Sequence, residues 1–275
     1  MAARDYGQYD GIAQALELVG ERWALLIVRD LLVGPRRYGE LAAGLPRIPS
    51  NILATRLKEL QAAGVLRRVP HSRVLVYELT AYGRELEPVV LALGAWGFKA
   101  LGDPREEQIV TPDSMTMALR TAFRPQVAAD LPATAYAARL GPAELLIRVD
   151  GSTLDVTRGD GPADLAFAAG PALRRVISGE LAPERAIATG VVEVLRGRGE
   201  LLGRFASTFH LAAQPGRLHL LRAVRQAPPP PAGGPPPRPA WSPDARGTGT
   251  GPARPGDAGQ GCGAPDGQVR RSARA

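Results

Sequence analysis

Apolar residues at Ile12, Leu16, Val19, Trp23, Leu26, Ile27 and Leu31 recur every three or four positions, the period of a helical face turned toward a core. Gly20 interrupts the run, so the spacing predicts two helices, over 9–19 and 22–33. Gly34-Pro35 ends the second, because proline cannot continue a helix and its predecessor avoids helical angles. A short helix over 38–43 follows, with Tyr38 and Leu41 inward. After the turn Leu45-Pro46-Arg47-Ile48-Pro49, Ser50 stands where an N-cap belongs, its hydroxyl able to accept from a first-turn amide. In the helix that starts there, Leu53, Leu57 and Leu60 form a buried stripe; at about 100° per residue the opposite face is Asn51, Thr55 and Lys58, with Arg56 on the flank. Gly64 ends this helix, and VLRRVPHSRVLVYELT then alternates as a two-stranded hairpin whose tip, Pro70-His71-Ser72-Arg73, is basic. Helix, turn, capped helix and basic hairpin, in that order, describe a winged helix-turn-helix.

After Thr80, a second candidate N-cap, Tyr82, Leu86, Val89, Leu93, Trp96 and Ala100 step by four and three residues, a heptad-like seam on one helix kinked at Pro88. Packing on its own domain is the plain reading of this seam. Its length favours a subunit interface through Tyr82, Leu86, Val89, Leu93 and Trp96, since so long an apolar ridge would otherwise face water. Two subunits would also present paired reading helices to a pseudo-palindromic site.

From residue 105 the pattern changes. A helix is expected from Asp113 to Phe123, then two or three strands in TAYAARLG and ELLIRVDGSTLDVTRG with a hairpin turn at Asp150-Gly151. A strand in ADLAFAAG, a short helix in PALRRVISGEL, a strand in VVEVLRG and a closing amphipathic helix with Leu202, Phe205 and Phe209 on one side complete an α+β pattern. Beyond Gln226, 12 prolines and 10 glycines in 50 positions mark a low-complexity tail expected to be disordered. The chain therefore divides into 9–104, 105–225 and 226–275.

The formal net charge of +7 conceals where the charge sits. Residues 47–73 hold Arg47, Arg56, Lys58, Arg67, Arg68 and Arg73 against Glu59 alone, a local +5, while 5–46 and 74–104 each sum to −2. A basic patch between acidic flanks is what a phosphate-gripping face requires, although the same arginines could be a solvated surface. Arg36, Arg37, Ser50, Asn51, Thr55 and His71 complete the candidate DNA-contacting set. The single cysteine, Cys262, falls in the tail, which argues against a disulfide framework or a cysteine-based metal cage. The start carries no apolar leader and no run nears the roughly 18 residues that span a bilayer, so a cytoplasmic protein is expected. His71, His210 and His219 lack metal-ligand spacing, and no nucleophile elbow or phosphate-binding glycine loop occurs in a strand-to-helix context. Neither enzyme chemistry nor a cofactor is expected.

The run ALELVGERWALLIVRDLLVGPRRYGELAAGLPRIPSNILATRLKELQAAGVLRR, followed by VYELTAYGRELEPVVLALGAWG, closely resembles the HxlR-type winged helix-turn-helix transcriptional regulators over 9–102. Its most specific pieces are GERW at 20–23, RDLLVGPRRYGEL from Arg29, RLKELQAAG from Arg56 and YELTAYG from Tyr77. The resemblance implies a homodimeric, sequence-specific DNA-binding repressor or activator, with the helix from Ser50 in the major groove and the hairpin along the backbone. Many members carry a cysteine before the first helix; Tyr9-Asp10 stands there instead, so the resemblance implies no thiol switch in this domain. The stretch from Asp164 through Leu211 resembles the sterol-carrier-protein-like lipid-binding domain, through SGEL at 178–181, the turn at 188–190 and a final helix ending in Phe. That resemblance implies an apolar cavity, with Ile147, Leu154, Phe167, Leu173, Ile177, Val192, Leu202 and Phe205 as candidate lining, although each could equally be plain core. A small hydrophobic effector held there would bias the dimer between DNA-competent and incompetent states. The alternative function is a winged-helix protein-interaction module with a structural second half; the outer face of the helix from Ser50 discriminates, since a protein-binding face would carry aromatic anchors.

Overall fold

The computed structural model describes residues 5–102 and 108–212. The expected tail, together with Cys262 and His219, lies outside the described residues. Helices α1 (Gly11–Val19), α2 (Ala24–Val33), α3 (Tyr38–Gly44) and α4 (Ser50–Ala62) precede the hairpin of β1 (Leu66–His71) and β2 (Val74–Leu79). Their boundaries lie within two residues of the apolar periodicity. Two caps differ in kind. Asp10 caps α1, accepting from the amides of Ile12 and Ala13, and Thr80 accepts from Gly83 while donating to the Gly64 carbonyl. Ser50 does not cap α4: it lies within the helix, Pro49 occupies the cap position, and no side chain accepts there.

The expected single helix kinked at Pro88 is instead two. Helix α5 (Ala81–Arg84) is one turn long, and α6 (Glu87–Phe98) begins afresh with Pro88 in its first turn, where a missing amide hydrogen costs nothing. Gly83 sets this corner, since a Cβ there would overlap the Val65 carbonyl oxygen. Leu86 turns partly into the core beneath α1, whereas Tyr82, Val89, Leu93 and Trp96 remain exposed.

The second half begins with α7 (Pro112–Ala122), started by a reciprocal cap between Thr111 and Ser114, and the single turn α8 (Pro125–Ala128). Strands β3 (Thr134–Leu140), β4 (Ala143–Asp150) and β5 (Thr153–Arg158) form an antiparallel meander. Glycines with φ of +61° and +52°, Gly141 and Gly151, open its two tight turns. The second turn is therefore centred on Gly151-Ser152, one residue later than expected. The chain then crosses β4 and β3 through residues 159–164 and lays β6 (Leu165–Ala169) parallel to β3; β7 (Val192–Gly197) pairs outside it, giving the order β5-β4-β3-β6-β7. A 3-10 turn at Pro171–Leu173, α9 (Arg174–Ile177), α10 (Pro183–Ala188) and α11 (Leu201–Thr208) complete the chain. Helix α10, six residues long, is started by Pro183 in its first turn.

Alternation decides which sheet face is buried: Tyr136, Ala138 and Leu140 on β3 face inward with Leu145, Ile147 and Val149 on β4. Phe205 of α11 seals them, its ring 5.3 Å from those of both Tyr136 and Phe167 and 4.7 Å from Phe209. Burial pushes the Tyr136 hydroxyl up to about 12. The candidate lining residues take part in this packing. Ile147, Phe167, Leu202 and Phe205 are fully buried, Leu173, Ile177 and Val192 nearly so, and Leu154 half-buried against them. All eight belong to or pack against one apolar core cluster, and Ile177 also borders an apolar pocket of about 380 Å³ shared with α6 and α7.

The two halves share structure. Helix α7 packs on α2 and α6; Met117 joins the winged-helix core of Ile27, Leu31, Leu53 and Leu57, and Phe98 packs on the sheet core. At the seam the Asp113 carboxylate accepts from Nε and Nη2 of Arg36, at 2.9 and 2.6 Å, and from Nη2 of Arg158 at 2.5 Å. Burial alone would raise the Asp113 carboxyl, but the hydrogen bonds from Arg36 and Arg158 outweigh it and hold the group below the usual carboxylate range. Asp30, on α2, is 1% exposed; burial pushes its carboxyl up to about 6 against the opposing pull of Arg29, and its Oδ2 has no hydrogen-bond partner.

Two stability effects follow. Asp113→Asn should lower the unfolding free energy by about 3 kcal/mol, because Arg36 keeps its buried position without a counter-charge; urea denaturation of the full chain measures this. Asp30 binds its proton more tightly folded than unfolded, so its contribution is present below pH 3.8 and is lost as pH rises to about 6. Asp30→Asn should remove that fall, about 3 kcal/mol across the window, in denaturation curves recorded at pH 4 and pH 7.

Candidate nucleic-acid interface

The surface begins with the amphipathicity of α4. Leu53, Leu57 and Leu60 are at most 2% exposed, which fixes the rotation of the helix and turns Asn51 and Lys58 fully outward, with Thr55 half-exposed between them. Thr55 donates to the Asn51 carbonyl at 2.9 Å, leaving both oxygen lone pairs of the hydroxyl outward-capable. The approach of α3 to α4 is set by Tyr38, whose hydroxyl donates to the Ser50 carbonyl at 2.8 Å, and by Leu41, Leu45 and Ile48, all buried beneath the turn.

The hairpin stands beside this helix. Its register pairs Arg67 with Glu78, Arg68 with Tyr77 and His71 with Val74, so the turn is Ser72-Arg73, with Ser72 at φ +56°. Arg67, Arg68, His71 and Arg73 are all exposed. Arg67 is held across the strands by Glu78 at 2.7 Å; Arg68 rests 5.9 Å from the Tyr77 ring. Arg47, in the α3–α4 turn, and Arg37, at the start of α3, also face solvent. The Arg37 amide donates to Glu40 at 2.6 Å.

Two expected members do not join the surface. Arg36 points away, locked on Asp113, and its side chain is only 13% exposed. Its backbone instead pairs with Tyr77 in both directions, at 2.9 and 2.7 Å, making residue 36 a one-residue third strand against the wing. Arg56 is 12% exposed and held by Glu21 at 2.8 Å and by Glu59 on its own helix. In each case a carboxylate distant in sequence or on an adjoining turn takes the guanidinium. Sequence reasoning missed Asp113 as the partner of Arg36, 77 positions away; its only local signal was an acidic residue in the first turn of a helix, which the helix dipole explains as well. It also missed Glu21, whose place in the turn before α2 gave no hint that it reaches α4.

Among the described residues no group of three or more His, Cys, Asp or Glu is placed to hold a metal ion, and no helix is long and apolar enough to cross a membrane.

The HxlR-like helix-turn-helix family model matches residues 18–104. The chain is 43% identical over 98 residues to the uncharacterized HTH-type transcriptional regulator Rv3095 of Mycobacterium tuberculosis, covering 34% of this chain and 61% of that protein. It thus spans about three-fifths of the mycobacterial relative's length. To YvaP of Bacillus subtilis, likewise an uncharacterized HTH-type transcriptional regulator, it is 37% identical over 86 residues, 30% of this chain and 80% of that one. The solved structure of the transcriptional regulator YodB from B. subtilis in its reduced form is 33% identical, covering 35% of this chain and all of that chain, with a TM-score of 0.31. With four-fifths of YvaP matched at this identity, the chain belongs to the HxlR-like helix-turn-helix family.

Proposed function

We propose that the protein is a DNA-binding transcriptional regulator that works as a homodimer, placing α4 in the major groove and the β1–β2 wing along the phosphate backbone. One observation carries the reading: α4 buries its leucines completely and presents Asn51, Thr55 and Lys58 outward, flanked by exposed Arg47, Arg67, Arg68 and Arg73. Short amide, hydroxyl and ammonium groups are the types that read base edges, and arginines on the flank suit phosphates. None of Asn51, Thr55 and Lys58 is an aromatic anchor of the kind that a protein-binding surface favours. The names of the relatives, all HTH-type transcriptional regulators, agree with it.

Homodimerisation is supported by α6. The helix EPVVLALGAWGF has no fully buried residue, and Val89, Leu93 and Trp96 are 47%, 46% and 74% exposed. A helix apolar on nearly all sides belongs inside a larger assembly. The second half is proposed as a sterol-carrier-protein-like module in fold, supported by the sequence pattern from Asp164 through Leu211 and by the closing helix α11. A small apolar effector held in the second half would bias the dimer between DNA-competent and incompetent states.

Arg68→Ala should weaken binding to all duplexes alike and flatten the salt dependence by about 0.9 in log–log slope. Asn51→Ala should cost about 1–3 kcal/mol at particular base pairs only. Fluorescence anisotropy on the duplex upstream of the protein's own gene, with single-base variants, checks both; affinities unchanged in both variants would reject this docking face. Leu93→Glu should convert a dimer to monomers in sedimentation equilibrium while leaving the circular dichroism spectrum unaltered.

A further inference from the structure

Beside the face assigned to base reading lies a pocket of about 350 Å³ that joins Arg47 and Arg56 of the DNA-contacting set to two residues outside it, Arg22 and Trp23. It is lined by Arg22, Trp23, Arg47, Pro49, Ile52 and Arg56. Three guanidinium groups from three separate segments therefore meet there: the α1–α2 turn, the α3–α4 turn and the second turn of α4. Their states differ. Arg56 is held by Glu21 and Glu59, yet its Nε is buried without an acceptor. Arg47 and Arg22 are exposed and make no ion pair among the described residues. Arg22 lies 4.9 Å from the centroid of the Trp23 ring, a contact that supports the guanidinium plane without consuming its hydrogen-bond donors.

The backbone at this corner is specialised. Trp23 has φ +82°, a left-handed conformation in which a bulky aromatic is an outlier, and this places Arg22 and Trp23 together on the pocket wall. Across from them Pro49 occupies the cap position of α4 with no side chain to accept from the first-turn amides, and no acidic residue lies in that turn. Two exposed arginines with unused donors, Arg22 and Arg47, an aromatic support and the uncapped first turn of a 13-residue helix share one chemistry, that of a bound phosphate group.

We propose that this pocket seats a backbone phosphodiester of the DNA whose major groove α4 enters, with Arg22 as a phosphate-contacting residue and Trp23 as its support. The proposal rests on the DNA-binding reading above. It identifies the occupant by position: the pocket sits at the N-terminal end of the reading helix, where a strand bordering the groove must pass. Arg22, Arg47 and the α4 amides would then fix the register of the helix on the duplex, a task that carries no sequence information of its own.

The test compares wild type, Arg22→Ala, Arg22→Lys and Arg68→Ala by anisotropy titration of the full chain at several salt concentrations, on the upstream duplex and on an unrelated one. Arg22→Ala should lose about tenfold in affinity on both duplexes and about 0.9 of the salt slope, with an unchanged melting temperature, while Arg22→Lys should recover most of the slope. Arg22→Ala equal to wild type, with Arg68→Ala weakened, would overturn this site and leave the DNA-binding reading standing. Wild type that binds neither duplex would overturn both. A parallel arm titrates inorganic phosphate: saturable binding to wild type that Arg22→Ala abolishes, in a protein whose duplex affinity does not depend on Arg22, would reassign the pocket to a free phosphate and overturn the DNA contact.

Discussion

The carboxylate of Asp113 is the point on which the arrangement of the two halves turns. It sits in the first turn of α7 and accepts from Arg36 on one side and Arg158 on the other, so one anion is shared by the winged helix and by the edge strand β5 of the sheet. A buried carboxylate is costly unless its lone pairs are filled, and here three donors fill them. Because the Arg36 backbone pairs with Tyr77 of β2, the charge that anchors α7 also anchors the base of the wing. Position 36 is thus spent on architecture by its side chain and its backbone alike, which is why it is absent from the outward basic surface.

Around that node the molecule uses arginine in two ways that composition cannot separate. Arg36 and Arg56 are neutralised by partners and hold elements together. Arg47, Arg68 and Arg73 stay exposed and keep their donors outward. The local excess of positive charge between residues 47 and 73 therefore overstates the surface by what two carboxylates outside that window take, Glu21 from Arg56 and Glu78 from Arg67.

What could be read beforehand was what has a short period. The leucine stripe of α4, the alternation of β3 and β4, the hairpin and the Thr80 cap all depend on residues within one or two turns of one another, and each is where the spacing placed it. The errors came from longer range or from competing local solutions. Ser50 looked like a cap, but Pro49 before it had already fixed an extended backbone suited to the cap position. Pro88 looked like a kink, yet a proline starts a helix more easily than it bends one, and the Gly83 corner against Val65 supplied the break. A list of inward apolar positions reads the same for a filled core and a hollow one, and it does not foretell the ring contacts around Phe205.

Met117 gives the arrangement a further meaning. It is a residue of α7, yet it completes the apolar core beneath α2 and α4, as Phe98 of α6 in turn covers part of the sheet. The two halves have exchanged side chains, so the winged helix of this chain has ceased to be a detachable module. Evolution of one half is thereby constrained by the other: a substitution in α2 must remain compatible with α7, and recombination that swapped the second half for an unrelated domain would carry away part of the first half's own interior.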